Sequence, residues 1–223
     1  MKKLVFILLL GIVVFAVSTS THAAFQTYTF NTDAQGWMFA GGGDYSLPNA
    51  VGGPTAGWDT RGNPGGALSA PDVYYQTFIA APSGTLGNQS DMYGKSFSYD
   101  MLVRYTDNVA YAAGGITGGG LSLVFIPPRL PQVGVWETWT VTFNEAMWRV
   151  DSTTGAVATA DQLKAALGDM TGLYLLTEWK TGGDDTSIDN FNGRGNAVPI
   201  PAAAWLLGSG LMTLLGFKRK FSK

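Results

Sequence analysis

The chain contains no cysteine, a single histidine, and only 14 basic and 16 acidic residues among 223. Each shortage excludes something. Without cysteine there is no disulfide, no thiolate nucleophile and no sulfur ligand for a structural zinc. The lone histidine, His22, falls inside an N-terminal stretch built like a secretory leader. Removal of that leader leaves a chain with neither Cys nor His, which excludes Ser-His-Asp and Cys-His nucleophilic mechanisms and most zinc sites. No cluster of Lys and Arg occurs outside the two termini, so the electrostatic footprint of a nucleic-acid binder is missing. The glycine run at residues 114–120 is not followed by Lys-Ser or Lys-Thr, and a phosphate-binding loop therefore lacks its parts.

The two termini hold recognisable signals. Met1-Lys2-Lys3 precedes an apolar stretch at residues 4–17, and Thr21-His22-Ala23 places small residues where a signal peptidase reads, predicting a leader over residues 1–23 cut between Ala23 and Ala24. At the other end, residues 202–217 carry no ionisable side chain, Trp205 stands near their start, and Lys218, Arg219, Lys220 and Lys223 follow. As a helix the apolar run would span about 24–27 Å, the short edge of what crosses a bilayer. The basic tip would hold the end in the cytoplasm, leaving everything before residue 198 outside. A core helix of a soluble domain is the competing reading, though such a helix does not usually end in a terminal basic cluster.

The order of Val198-Pro199-Ile200-Pro201, apolar helix and basic tip resembles the PEP-CTERM sorting signal of Gram-negative bacteria in its VPxPA-type variant. Pro199-Ile200-Pro201 stands where the namesake signal has Pro-Glu-Pro. The resemblance implies processing by an exosortase, a temporary inner-membrane anchor, and a final place at the cell surface or outside it, in cells that make exopolysaccharide.

Between the signals, residues 24–197 form one domain of ordinary size. Eight basic residues against all 16 acidic ones give it a charge of about −8. Thirty glycines, ten prolines and seven tryptophans point to an all-β domain of short strands and tight turns. Strands are expected at residues 25–30, 37–39, 67–72, 74–80, 97–103, 121–126, 136–143, 173–179 and, briefly, 187–191. Two of these alternate with period two: Phe97, Tyr99, Met101 and Val103 face one way with Ser98 and Asp100 opposed, and Trp139, Val141 and Phe143 are opposed by Thr138, Thr140 and Thr142. Residues 40–58 read as a surface loop and residues 114–120 as a linker between strands. One helix is expected over residues 159–167, with Thr159 and Gln162 spaced for a capping box.

Taken in order, Phe30, Asp33, Gly36 and Trp37; Gly65, Gly66 and Leu68; Ala81-Pro82; Leu86, Gly87, Ser90, Tyr93, Gly94, Phe97, Ser98 and Asp100; Trp139, Glu145 and Trp148; and Asp189-Asn190 follow a pattern that resembles the laminin B domain (laminin IV type A). The resemblance implies a jelly-roll β-sandwich of galactose-binding-like type, no catalytic residues, and an extracellular structural or adhesive role.

Three residue sets are candidates for chemistry. Asp184, Asp185 and Asp189, with Ser187 among them, offer oxygen ligands for a structural Ca²⁺, against the blander reading of a solvated acidic turn. Glu145 and Glu178 are a conceivable glycosidase pair, although nothing in their spacing fixes a separation. Trp58, Tyr74 and Tyr75, with Tyr45 and Trp37, are the pool of rings for stacking on sugars. The leading expectation is a non-enzymatic exported structural or adhesive protein without a cofactor; the alternatives are a module binding exopolysaccharide and, third, a glycoside hydrolase.

Overall fold

The computed structural model describes residues 25–41, 47–48, 54–62, 65–71, 76–109 and 112–193. The leader at residues 1–23, Ala24, Tyr45, Tyr74, Tyr75 and the sorting tail at residues 198–223 lie outside them. Among the described residues, no helix is long and apolar enough to cross a membrane.

In chain order the strands are β1 (Thr27–Tyr28), β2 (Met38–Gly41), β3 (Gly57–Gly62), β4 (Gly65–Pro71), β5 (Thr77–Ala80), β6 (Ser96–Val103), β7 (Gly114–Gly118), β8 (Leu121–Phe125), β9 (Trp136–Thr142), β10 (Trp148–Val150), β11 (Met170–Leu176) and β12 (Asp185–Asn192), with helix α1 (Ala160–Gly168) between β10 and β11. They form two sheets whose paired strands are all antiparallel. The first runs β3-β4-β12-β6-β9, with β1 also paired to β12; the second runs β10-β8-β7-β11-β5-β2. The expected all-β sandwich is what the chain builds.

Aromatic rings fill the space between the sheets. Phe97 of β6 meets Phe125 of β8 edge-on at 6.3 Å, Trp37 lies 5.1 Å from Phe191 of β12, and Trp139 of β9 lies 6.1 Å from Trp179. Each fully buried ring of this kind contributes roughly 1.5–3 kcal/mol of transfer free energy, which lets a chain without disulfides hold a single fold.

The predicted period-two strands have the predicted faces. Along β6, Phe97, Tyr99, Met101 and Val103 are buried while Ser96, Ser98, Asp100 and Leu102 are half-buried. On β9, Trp139 and Val141 point inward and Thr138 and Thr140 are exposed. The second sheet shows no alternation. β5 is buried throughout, and β11 is buried at every position but Thr171. Leu47 packs against Gly115 on its outer side, where Val124 and Tyr174 are buried, while α1, which buries Leu163, Ala166 and Leu167, meets β7 at Gly118; the outward Thr117 stays half-buried and Thr171 exposed. The helix starts as expected: Thr159 Oγ1 accepts from the Gln162 N–H at 3.3 Å, and Gln162 Oε1 accepts from the Thr159 N–H at 2.9 Å.

Four expectations need correction. Residues 40–58 are not simply a surface loop, because Leu47 and Ala56 are buried and β3 begins at Gly57. Residues 114–118 are a strand rather than a linker. Their glycines let neighbours close in: a Cβ at Gly118 would strike the Ala166 carbonyl of α1, and one at Gly115 would meet Leu123 and Leu47. Trp148 begins a strand, β10, paired to β8. The last strand, expected as a short closing piece, spans eight residues and sits at the centre of the first sheet between β4 and β6.

That central strand sets the orientation of the sandwich. At its end, Asn192 pairs with Thr27 and the Gly193 N–H donates to the Gln26 carbonyl at 3.1 Å, so both described chain ends leave from one pole. At its start, loops following β6, β8 and β11 interlock: Gly134 N–H donates to Val103 O at 2.8 Å, Arg104 N–H to Asp185 O at 3.1 Å, and Asp107 N–H to Trp179 O at 3.2 Å.

Candidate functional site

The outer face of the first sheet exposes polar side chains most along β9, at Thr138 and Thr140, with half-buried Ser98 and Asp100 beside them on β6. Its register places side chains in rows. Thr142 faces Ser96; Thr140 faces Ser98, Asn192 and Thr27; Thr138 faces Asp100 and Asp189; Trp136 faces Leu102, Ser187, Ser69 and Gly57. Nearly every member is a hydroxyl, amide or carboxylate. Only Trp136 and Leu102, at the end away from the chain termini, are apolar and large.

Two hydrogen-bond networks fix these groups. In the first, the Arg61 guanidinium bonds Asp59, Ser69 at 3.0 Å and Asp185 at 2.8 Å, while Arg104 donates to Asp185 at 3.2 Å and to Ser187 Oγ at 3.0 Å. Asp185 is thus shared by two arginines from different strands' ends. Burial works to raise the Asp59 carboxyl, but bonds from the Arg61 backbone N–H and guanidinium outweigh it and hold the group below its ordinary range. Hydrogen bonding to Asp185 raises Arg61 in turn.

The second network centres on Asp100. Thr138 donates its hydroxyl to one carboxylate oxygen at 2.6 Å, and the Asn190 side-chain amide donates to the other at 2.9 Å. Asn190 reaches Asp100 from a bulge in β12, where its φ of 48° is left-handed, a region Asn tolerates better than most residues. Nearby, Ser96 and Thr142 share a hydrogen bond of 2.8 Å, and Thr27 donates to Asn192 Oδ1 at 3.2 Å.

The sequence candidates are placed as follows. Asp184 accepts from the backbone N–H of Trp179 and, at 2.6 Å, from that of Asp185, so its carboxylate ties a turn together. Asp185 belongs to the two arginines. Asp189 is fully buried further along β12 and accepts from the Asn190 N–H at 2.7 Å. Among the described residues, no three His, Asp or Glu side chains are grouped to hold a metal ion. Glu145 sits after β9, near the pole of the chain ends, where Tyr93 donates to it at 2.7 Å and keeps its carboxyl below the ordinary range. Glu178 is buried beside Trp179 at the opposite pole, so the structure does not bring the two glutamates together. Trp58 is 37 % exposed, but its indole N–H donates to the Phe30 carbonyl at 2.6 Å and its ring fills the space above Gly66. That ring serves the packing of β3 on β4. Trp37, another member of the stacking pool, is wholly buried in the core. The residues that sequence reasoning missed are Arg61, Arg104, Trp136 and Asn190; alternation had already put Ser98, Asp100, Thr138 and Thr140 on an outer face, but only the strand order shows that they share one.

Comparison with known proteins bears on the domain as a whole. A family model described as Laminin B (Domain IV) matches residues 78–192, just over half of the chain. The chain belongs to the laminin B family. Within that span lie β5 to β12, and so most of the open face. Among solved structures, the L4b domain of human laminin alpha-2 superposes with a TM-score of 0.52 at 13 % identity, over 62 % of this chain and 83 % of that one. At such identity the likeness is one of fold. Among curated protein sequences none matches this laminin B chain.

Proposed function

We propose that the protein is an exported, non-enzymatic surface or matrix module with a structural or adhesive role. The observation that carries this reading is membership of the laminin B family across the body of the sandwich. In this reading the leader is removed after Ala23. The tail then holds the protein in the inner membrane until an exosortase cuts near Val198-Pro199-Ile200-Pro201 and releases the domain outward.

The geometry supports such a display. Both described chain ends leave from one pole, so a tether attached after Gly193 would turn the opposite pole and its interlocked loops away from the membrane. Mass spectrometry of the mature protein from the native cell tests the processing: a C-terminus near Pro201 is the expected result, and an intact Lys223 on most molecules overturns it. Cell fractionation with external protease tests the export. The domain should be found on or outside the cell, and retention in the cytoplasm would defeat the proposal.

A further inference from the structure

We propose that the open face of the first sheet binds a neutral polysaccharide chain across β9, β6 and the Asn192 end of β12. The inference deepens the reading of a module working outside the cell and rests on it only for access to the ligand. Four observations point the same way.

The first is chemical composition. The rows Thr140, Ser98, Asn192, Thr27 and Thr138, Asp100 present hydroxyls, an amide and a carboxylate side by side. Sugars present hydroxyls that both donate and accept, and such a mixed array meets them at either role. The second is charge. The arginines nearest the face, Arg61 and Arg104, are already bonded to Asp59 and Asp185, so no free cationic stripe is offered to an acidic polymer or to phosphate.

The third observation is the ring at the end of the rows. Trp136 stands on the outer side opposite Leu102, half-buried, and the next outward positions on its strand are Thr138 and Thr140, both exposed. A half-buried indole followed by polar positions along one strand matches a sugar chain, whose C–H faces stack on the ring while its hydroxyls reach the neighbouring side chains. A protein partner would need several large apolar anchors, and this face has one aromatic and one leucine. The fourth is preorganisation. Both Asp100 oxygens are held, one by Thr138 and one by Asn190, and each oxygen keeps a second lone pair for a ligand hydroxyl. Side chains already locked lose little entropy on binding.

The test uses the purified full-length chain in detergent, run by affinity electrophoresis through gels containing hydroxyethyl cellulose, galactomannan, dextran or alginate. Retardation by at least one of the three neutral polymers is expected. Trp136→Ala should weaken it about tenfold, the loss of roughly one good stacking contact. Thr138→Val and Thr140→Val, at exposed positions where the fold is not at risk, should each weaken it severalfold. Val157→Ala, an exposed residue after β10 and away from this face, should leave it unchanged.

Retardation by no neutral polymer overturns the inference, as does retardation by alginate alone that vanishes with salt. Equal retardation of wild type and both threonine variants overturns it too, and so does a Trp136→Ala effect that light scattering traces to a change of oligomeric state. If Trp136→Ala loses its near-ultraviolet circular dichroism, the threonine variants decide. Because binding is measured on purified protein, its failure with correct export sinks this inference alone, whereas binding by a protein that never leaves the cytoplasm sinks the proposed delivery.

Discussion

The two sheets of this sandwich are made from the same kinds of residue and treated oppositely. The second is buried on its inner side and over much of its outer side, where Phe78, Val124 and Tyr174 are covered and Leu47 packs against Gly115, leaving Thr117 half-buried and Thr171 exposed. The first is sealed only on the inside, so its strands alternate, and its outer surface carries polar side chains tied to one another. A face buried on both sides serves stability. A face left open and ordered by side-chain hydrogen bonds is where recognition can be added without disturbing the core.

The sharpest way to break that comparison is to place one charge on each outer surface. Val124 of β8 is fully buried although it points away from the sheet interface, opposite Gly115. Val124→Asp should cost more than about 3 kcal/mol, an unpaired charge in a sealed layer, whereas Ser98→Asp should stay within about 1 kcal/mol. Denaturant unfolding of the two variants reads the difference directly. Similar losses in both would mean that the first sheet's outer face is not open.

A smaller effect is expected inside the open face itself. Arg104→Ala removes the partner that reaches Asp185 and fully buried Ser187, and should lower stability by about 1–2 kcal/mol. If the same midpoint is found, the network is ornamental to the fold.

The smallest effect is the dependence on acid. Asp59 is held below its ordinary value of 3.8, so the stability it contributes is present above that value and is lost as pH falls through the lower folded one. Arg61→Ala removes the guanidinium's hydrogen bond and charge and leaves the backbone N–H of residue 61 in place. Wild type and variant should therefore differ most above pH 4 and converge below it, in unfolding midpoints taken from pH 6 down to pH 2. A gap that stays constant over that range would show that Arg61 acts through packing alone.

Much of this was legible in the chain. The two alternating strands, the capping box of α1 and the buried tryptophan of β9 followed from local pattern, because period and capping are properties of neighbouring residues. What was not legible depends on partners distant in sequence. β7 looked like a linker because its glycines are explained only by the helix and the leucine that press on them. β3 was lost in a stretch without periodicity, since an edge strand with Asp59 and Arg61 outward shows no apolar alternation. The open face could be halved but not assembled: Ser98, Asp100, Thr138 and Thr140 were placed outward, yet their union with Asn190, Asn192 and Arg61 needs the strand order. The acidic run at Asp184, Asp185 and Asp189 suggested a shared ligand because spacing cannot show that two arginines and a turn divide it among themselves.

The place of β12 has a consequence for how the protein is made. β4 and β6 flank it and do not pair with each other, so until residues 185–192 arrive both present bare edges toward the gap between them. The first sheet therefore exists as two separate pieces until β12 is made, a slow and aggregation-exposed topology dominated by contacts far apart in sequence. Only four residues, 194–197, separate Gly193 from the start of the proposed sorting motif at Val198. Completion of the first sheet thus waits for β12, and a chain truncated before Asp185 would lack not a terminal strand but the seam that joins the halves of the sheet.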